Sequence, residues 1–219
     1  MDSLLRRVHS AKVKLGPPDW KAKKRMNDRQ QLTRAKIDEA FRIMGQYLLD
    51  RKTLGEIAIY GGSAILFQFD WRKTSLDVDA RVTSERNHGI IIDAVHAAAK
   101  QLHLPRSWLN ESVAMYARRE EGNADRVLVG LYPSPERFGL RVTAAKPEYI
   151  LAMKIKAMDR VTADDRDYQD AVGLGRECGI TTVDGLKNVF RKFFGTEELP
   201  VTAELRLTGL ATAIRAKPR

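Results

Sequence analysis

The stretch from Glu56 to Arg81 constrains the fold more than any other part of the chain. A short apolar run at 57–60 has the composition of a buried strand. The tripeptide Gly61–Ser63 follows at once, and the apolar segment 64–69 then predicts a short helix. After a polar loop, the run 76–80 alternates apolar and acidic residues. The stretch therefore predicts a strand, a glycine turn, a helix and a second strand in close succession.

The second predicted strand carries two carboxylates, Asp77 and Asp79. Side chains two residues apart on a strand point the same way and lie about 6.5–7 Å apart along it. Two such carboxylates repel each other unless a cation or solvent lies between them. Carboxylate oxygens suit Mg²⁺, which usually takes one or two protein carboxylates together with phosphate oxygens and water. We therefore expect Asp77 and Asp79 to form a Mg²⁺ site.

Gly61, Gly62 and Ser63 stand where the first strand turns into the short helix. A glycine turn at a helix start leaves bare backbone N–H groups, which attract phosphate. A phosphate-binding turn next to a pair of metal-binding acids is typical of a site for a nucleoside triphosphate (NTP).

A second cluster lies far along the chain. The stretch 147–160 predicts a helix in which Lys154 interrupts an apolar face. A buried lysine needs either an anionic partner or a lowered pKa. The alternative is that its long stem carries the amine to the surface. The acids at 164–170 open the next predicted helix, where the helix dipole by itself favours some of them.

The order of these features resembles the core of the polymerase-β-type nucleotidyltransferases. More narrowly, it resembles the AbiEii-like abortive-infection toxin group, whose strand motif is Arg-x-Thr-x-Asp-x-Asp. Arg72, Asp77 and Asp79 match this motif. The match holds in one of two ways. Either this chain has one extra residue between Thr74 and Asp77, or Ser75 takes the place of the threonine.

A second signature of the same group is matched at 153–157 (Met-Lys-x-x-Ala) and at 166–170 (Arg-Asp-x-x-Asp). The resemblance implies that Lys154 contacts the triphosphate and that Asp167 lies at the site. Asp170 has the alternative role of holding Lys154 or Arg160 in a salt bridge. The predicted catalytic residues are Asp77, Asp79, Lys154 and Asp167, and the predicted NTP-binding residues are Gly61, Gly62, Ser63, Arg72 and Lys154.

The resemblance implies an α/β (α+β) fold, with a small mixed and twisted sheet flanked by helices and a helical C-terminal region. The expected organisation is a basic extension at 1–28, a core at 29–146 and the helical region at 147–219. Helical periodicity predicts further helices at 28–50, 87–102, 182–194 and 198–215. Runs of strand-forming residues predict further strands at 125–131 and 139–144. Neither of these strands offers a clear third metal-binding carboxylate. The run 108–111 resembles a segment of the toxin group, and the alternative is a capping turn with a core tryptophan.

The formal net charge of +10 indicates an anionic partner. Nucleic acid, a nucleotide or an acidic protein would fit this charge. The resemblance to the toxin group implies tRNA or other RNA as the acceptor, with a protein or small-molecule hydroxyl as the alternative, and a cognate antitoxin as a partner. Cys178 is the only cysteine, so an internal disulfide is impossible and a reducing cytoplasm is expected. No apolar run approaches the roughly 20 residues that span a bilayer, so no membrane partner is expected.

Three functions are compatible with these patterns. The first is a toxin that transfers a nucleoside monophosphate from an NTP to an acceptor. The second is a non-catalytic relative that keeps the fold and binds nucleic acid or a protein partner. The third is an antibiotic-modifying nucleotidyltransferase, whose cationic substrates a chain of net charge +10 disfavours.

Overall fold

The computed structural model describes residues 31–115, 117–118, 121–159 and 165–216. The strands are β1 (Leu32–Thr33), β2 (Gly55–Ile59), β3 (Thr74–Ser75), β4 (Val78–Val82), β5 (Leu109–Asn110), β6 (Arg126–Pro133) and β7 (Phe138–Ala145). The α-helices are α1 (Arg34–Asp50), α2 (Gly61–Gln68), α3 (His88–Leu102), α4 (Pro147–Ala157), α5 (Arg166–Glu177), α6 (Val183–Phe194) and α7 (Val201–Arg215).

Five strands form a mixed sheet in the order β5-β4-β2-β7-β6, and β1 pairs separately with β3. The central strand β2 runs antiparallel to β4 and parallel to β7. These directions bring the end of β2, the start of β4 and the end of β7 to one edge of the sheet. The predicted α+β class with a small mixed sheet flanked by helices is confirmed.

Helices α1 and α3 pack against each other, and α1 also covers β6 and β7. The inward face of α1 is fully buried at Ile37, Phe41, Met44 and Leu48. Thr33 caps this helix, because its hydroxyl accepts a hydrogen bond from the Lys36 N–H at 3.3 Å. This layer supports the sheet and leaves the edge described above available for a site.

The C-terminal helices belong to the same compact unit, which spans Gln31–Arg219. Helix α4 begins two residues after the end of β7 and packs on α5 and α6, while α5 packs on α7. Ile150, Leu151 and Ile155 of α4 are completely buried. Because α4 starts just after β7, at the edge where β2 ends, it contacts α2, the helix that begins at the glycine turn.

Several predicted boundaries differ from the structure. The helix predicted at 28–50 starts at Arg34, because Leu32 and Thr33 pair with Ser75 and Thr74 as a strand. The strand predicted at 76–80 starts at Val78, so Asp77 lies in the bend just before it. The helix predicted at 64–69 begins earlier, at Gly61, so the Gly-Gly-Ser tripeptide forms its first turn. The extension at 1–28 and Arg160 lie outside the described residues.

Candidate nucleotide and metal site

The N-terminus of α2 lies directly against the carboxylate of Asp79. Gly61 has a φ of +55°, a conformation that favours glycine. A Cβ at this position would lie 2.8 Å from Asp79 Oδ2. The N–H of Tyr60 also donates to the Asp79 carbonyl at 2.9 Å. Gly61 is therefore required both by its backbone conformation and by the close approach of Asp79.

The two predicted metal ligands lie on one side of the sheet. Val78 and Ala80 are fully buried on the opposite side of β4, so Asp79 projects away from the core. Asn110 of β5 is the register partner of Asp79, and its Nδ2 donates to Asp77 Oδ2 at 3.3 Å. Asn110 therefore pairs with Asp79 through the strands and contacts the Asp77 carboxylate through its side chain.

The orientation of the Asn110 amide is fixed by a second hydrogen bond. Its Oδ1 accepts from the Ser112 N–H at 2.9 Å, which leaves Nδ2 to face Asp77. Sequence reasoning missed this residue, because the strand pairing that brings Asn110 to Asp77 is not a local feature of the chain.

The donor set of Asp77 and Asp79 fits Mg²⁺ as a pair of hard oxygen ligands beside a helix N-terminus that attracts phosphate. Because Gly61 has no Cβ, Asp79 Oδ2 can lie against the N-terminus of α2, where backbone N–H groups attract phosphate. Within the described ranges, no group of three or more His, Cys, Asp or Glu residues has the arrangement of a metal site. Mg²⁺ usually takes one or two protein carboxylates and completes its shell with phosphate and water, and Asp77 and Asp79 are ligands of that type.

Arg72 lies beside the second glycine of the turn. Its Nε donates to the Thr74 carbonyl at 3.0 Å, and its Nη1 forms an ion pair with Asp170. A Cβ at Gly62 would lie 2.7 Å from Arg72 Nη2 and 2.9 Å from Ser75 Oγ. Gly62 therefore gives the guanidinium room to approach the first turn of α2.

Lys154 meets two carboxylates from the next helix. Its Nζ lies 2.7 Å from Asp167 Oδ1 and 2.9 Å from Asp170 Oδ2, and its side chain is only 12% exposed. Asp167 and Asp170 are three residues apart and so share one face of α5. The expectation that a buried Lys154 has an anionic partner, and that Asp170 forms a salt bridge with it, is confirmed.

These contacts set the protonation of the Lys154 amine. Burial by itself lowers its pKa, but the charges of Asp170 and Asp167 and their hydrogen bonds outweigh this effect. The pKa of Lys154 is consequently raised, and the amine carries its charge at neutral pH. Because two carboxylates already compensate that charge, Lys154 differs from a simple point charge directed at phosphate.

The hydroxyl of Ser63, a predicted NTP-binding residue, is engaged within the protein. The residue is 1% exposed, and its hydroxyl donates to the Tyr60 carbonyl at 2.8 Å. A phosphate contact through this hydroxyl is therefore not supported by the arrangement. The backbone N–H groups of Gly61, Gly62 and Ser63 belong to the first turn, where a helix supplies no internal acceptor.

The predicted site residues form a nearly continuous set. Asp79 meets Gly61, Gly62 meets Arg72, and Arg72 meets the Asp170–Lys154–Asp167 cluster through its ion pair with Asp170. Their chemical roles remain predictions. What the geometry establishes is that Arg72, beside Gly62, pairs with Asp170, which lies 98 residues further along the chain and contacts Lys154.

A buried carboxylate, Glu121, lies behind the site and was not found by sequence reasoning. Its side chain is 1% exposed and lies 2.9 Å from Arg126 and 3.6 Å from Arg81. It accepts hydrogen bonds from the hydroxyls of Tyr60 and, at 2.6 Å, Tyr149. Its sequence neighbours are polar, so the local sequence does not indicate that this carboxylate is buried. Tyr60 directly precedes Gly61, and Arg81 lies two residues after Asp79. Glu121 therefore connects the end of β2 with β4.

The tyrosines around Glu121 predict an alkaline limit to stability. Burial, followed by the hydrogen bond to Glu121, raises the pKa of both Tyr60 and Tyr149. A raised folded-state pKa favours the protonated form, so its stabilisation is complete below the ordinary value of 10.0 and is lost as pH rises beyond it. We expect the free energy of unfolding to fall above pH 10 by about 1.4 kcal/mol per pH unit for each such tyrosine.

Absorbance at 295 nm tests this expectation, with circular dichroism to verify that the fold persists. At pH 11, Tyr60 and Tyr149 should remain un-ionised, and the Tyr60→Phe and Tyr149→Phe variants should show an unchanged tyrosinate signal. Ionisation of all six tyrosines in the folded protein at pH 11 would contradict it.

In the part of the chain that the structure describes, no helix is both long enough and apolar enough to cross a membrane. Comparisons with models of protein families, with curated proteins and with solved structures give no match to this chain.

Proposed function

We propose that this protein is a Mg²⁺-dependent nucleotidyltransferase that moves a nucleoside monophosphate from an NTP to an acceptor. One observation carries the proposal: Asp79 and Arg72 adjoin successive glycines, Gly61 and Gly62, at the N-terminus of one helix. A carboxylate ligand for a metal, backbone donors for phosphate and a fixed cation are thereby adjacent. These are the groups that a triphosphate and its metal require.

Each group has a distinct role in binding the NTP. Asp77 and Asp79 would hold Mg²⁺, which when bound neutralises phosphate charge and favours departure of pyrophosphate. The N–H groups of Gly61–Ser63 hold phosphate oxygens through the partial positive charge of the helix start. Arg72 supplies a guanidinium beside Gly62, a geometry suited to phosphate oxygens.

Lys154 and Asp167 act next to these groups. The predicted contact of Lys154 with the triphosphate would require the amine to share its charge between phosphate and its two carboxylates. Its pairing also supports a positioning role, because Lys154 holds Asp170 and Asp170 holds Arg72. Asp167 is 21% exposed, so its carboxylate is accessible to a substrate at the site.

In the reaction, a hydroxyl of the acceptor attacks the α-phosphorus of the NTP. A new P–O bond forms, the bond between the α- and β-phosphates breaks, and pyrophosphate leaves while the hydroxyl proton passes to solvent. The net charge of +10 favours tRNA or other RNA as the acceptor. The proposal includes a toxin role in the cytoplasm, controlled by a cognate antitoxin.

Incubation of the protein with each labelled NTP and total RNA, with and without Mg²⁺, tests the proposal directly. We expect label to enter the RNA fraction with at least one NTP, and only when Mg²⁺ is present. A parallel reaction with a protein acceptor fraction separates the RNA acceptor from other hydroxyl-bearing acceptors. Absence of Mg²⁺-dependent transfer to any fraction would contradict the enzymatic function.

A non-catalytic role is the second candidate, and one observation favours it. Across the described residues, no third His, Cys, Asp or Glu joins Asp77 and Asp79 in an arrangement that could hold a metal. A scaffold that binds only nucleic acid or a protein partner would bind no NTP. A thermal shift caused by NTP and dependent on Mg²⁺ would therefore exclude this candidate.

A further inference from the structure

A cavity of about 770 Å³ lies between the loop at 71–76 and helix α5. Its lining includes Arg72, Ser75 and Asp170, so it borders the site at the Arg72–Asp170 ion pair. Its volume falls in the range of about 300–1,000 Å³ that is usual for small-molecule sites. The cavity thus offers room for a chemical group attached to whatever occupies the glycine turn.

An aromatic side chain, Trp71, forms part of the cavity wall and is 40% exposed. Its indole stacks on Phe69 with ring centroids 5.9 Å apart and an interplanar angle of 20°. A Cβ at Gly173 of α5 would lie 2.6 Å from the indole ring, so only glycine admits the ring at this distance. Trp71 is therefore held on two sides while retaining exposed aromatic surface.

The polar groups of the cavity favour an anionic ligand with hydrogen-bonding edges. Lys73 and Arg166 contribute exposed cations, and Gln169 contributes an exposed amide that can both donate and accept hydrogen bonds. Arg176 also lines the cavity, but its guanidinium donates to the carbonyls of Ala213, Ile214 and Ala216 at the end of α7. Among the described residues, the lining carries four cationic side chains and two carboxylates, Asp170 and Glu177, so its net charge is positive.

We propose that this cavity binds a nucleobase together with its attached phosphate, and that the base stacks on Trp71. Stacking on an aromatic side chain and attraction to cations are the two terms that dominate binding of unpaired nucleotides. This inference rests on the proposed function, because the cavity is assigned to a nucleotide by its position beside the proposed triphosphate site. The base belongs either to the NTP or to the terminal nucleotide of an RNA acceptor.

The test uses the full-length protein and two substitutions of Trp71. Trp71→Leu removes the aromatic surface, and Trp71→Phe keeps a smaller ring. The probes are the four nucleoside monophosphates and single-stranded RNA tetranucleotides, with affinity measured by calorimetry without Mg²⁺. We expect Trp71→Leu to weaken binding of at least one probe by about tenfold or more, and Trp71→Phe to weaken it much less.

A second pair of variants covers the case in which Trp71→Leu fails to fold. Gly173→Ala introduces a Cβ against the indole, while alanine favours helix α5. Gly209→Ala in α7 is its matched control, because there a Cβ would meet its nearest atom, the Tyr168 hydroxyl, at an ordinary 3.5 Å. Gly173→Ala should weaken the same probe, and Gly209→Ala should not.

The outcomes separate this inference from the proposed function. Trp71-dependent binding of monophosphates assigns the base to the NTP, and binding of tetranucleotides alone assigns it to the acceptor. Unchanged affinity for every probe in both Trp71→Leu and Gly173→Ala would overturn the inference, even if transfer is observed. Trp71-dependent binding in a protein without transfer activity would instead overturn only the proposed function.

Discussion

Replacement of Asp79 by asparagine is expected to abolish nucleotidyl transfer and leave the fold intact. The two side chains have nearly the same shape, so the close contact with Gly61 is preserved. The amide lacks the negative charge that Mg²⁺ requires of its ligand. Loss of a group that merely orients a metal ligand costs about 10–100-fold, so loss of a ligand should cost at least about 100-fold.

The measurement is Mg²⁺-dependent incorporation of labelled nucleotide into RNA. Asp77→Ala should cause a comparable loss, since Asp77 lies on the same side and is linked to that side by Asn110. Asp93→Asn is the matched control, because Asp93 is exposed on α3, away from the glycine turn. Full activity of Asp79→Asn, with circular dichroism identical to that of the unmodified protein, would exclude the proposed metal site.

The sequence predicted those parts of this site that depend on local chain geometry. Apolar periodicity locates β2, β4 and α4 to within a few residues, because buried faces impose it wherever the element forms. Gly61 and Gly62 indicate a turn at which other groups can come close to the backbone, since only glycine lacks a Cβ. The alternation around Asp79 indicates that its carboxylate points away from the core.

The remaining parts depend on tertiary contacts that leave no local pattern. Asn110 reaches Asp77 only through the pairing of β4 with β5, which a two-residue strand does not reveal in sequence. Glu121 lies in a polar segment, yet its carboxylate is buried by residues from two strands and a helix. The short strand β1 (Leu32–Thr33) was not predicted, because it forms only by pairing with β3.

Asp170→Ala is expected to destabilise the protein by about 3–5 kcal/mol, because it would leave buried cations without their shared partner. The Asp170 side chain is 3% exposed and lies between Lys154 and Arg72, which are themselves mostly buried. Removing one member of a buried ion pair costs far more than removing the whole pair, since the remaining charge stays desolvated. Urea unfolding followed by circular dichroism measures the change in the free energy of unfolding.

Asp167→Ala is the matched control, since it removes the same group from the same face of α5. Asp167 is 21% exposed, and its loss leaves Lys154 paired with Asp170, so the cost should be well below that of Asp170→Ala. The double variant Asp170→Ala with Lys154→Met should recover part of the lost stability, because one uncompensated charge is then absent. Equal losses for Asp170→Ala and Asp167→Ala would show that the two carboxylates are interchangeable, and the central position of Asp170 between Lys154 and Arg72 would then have no energetic consequence.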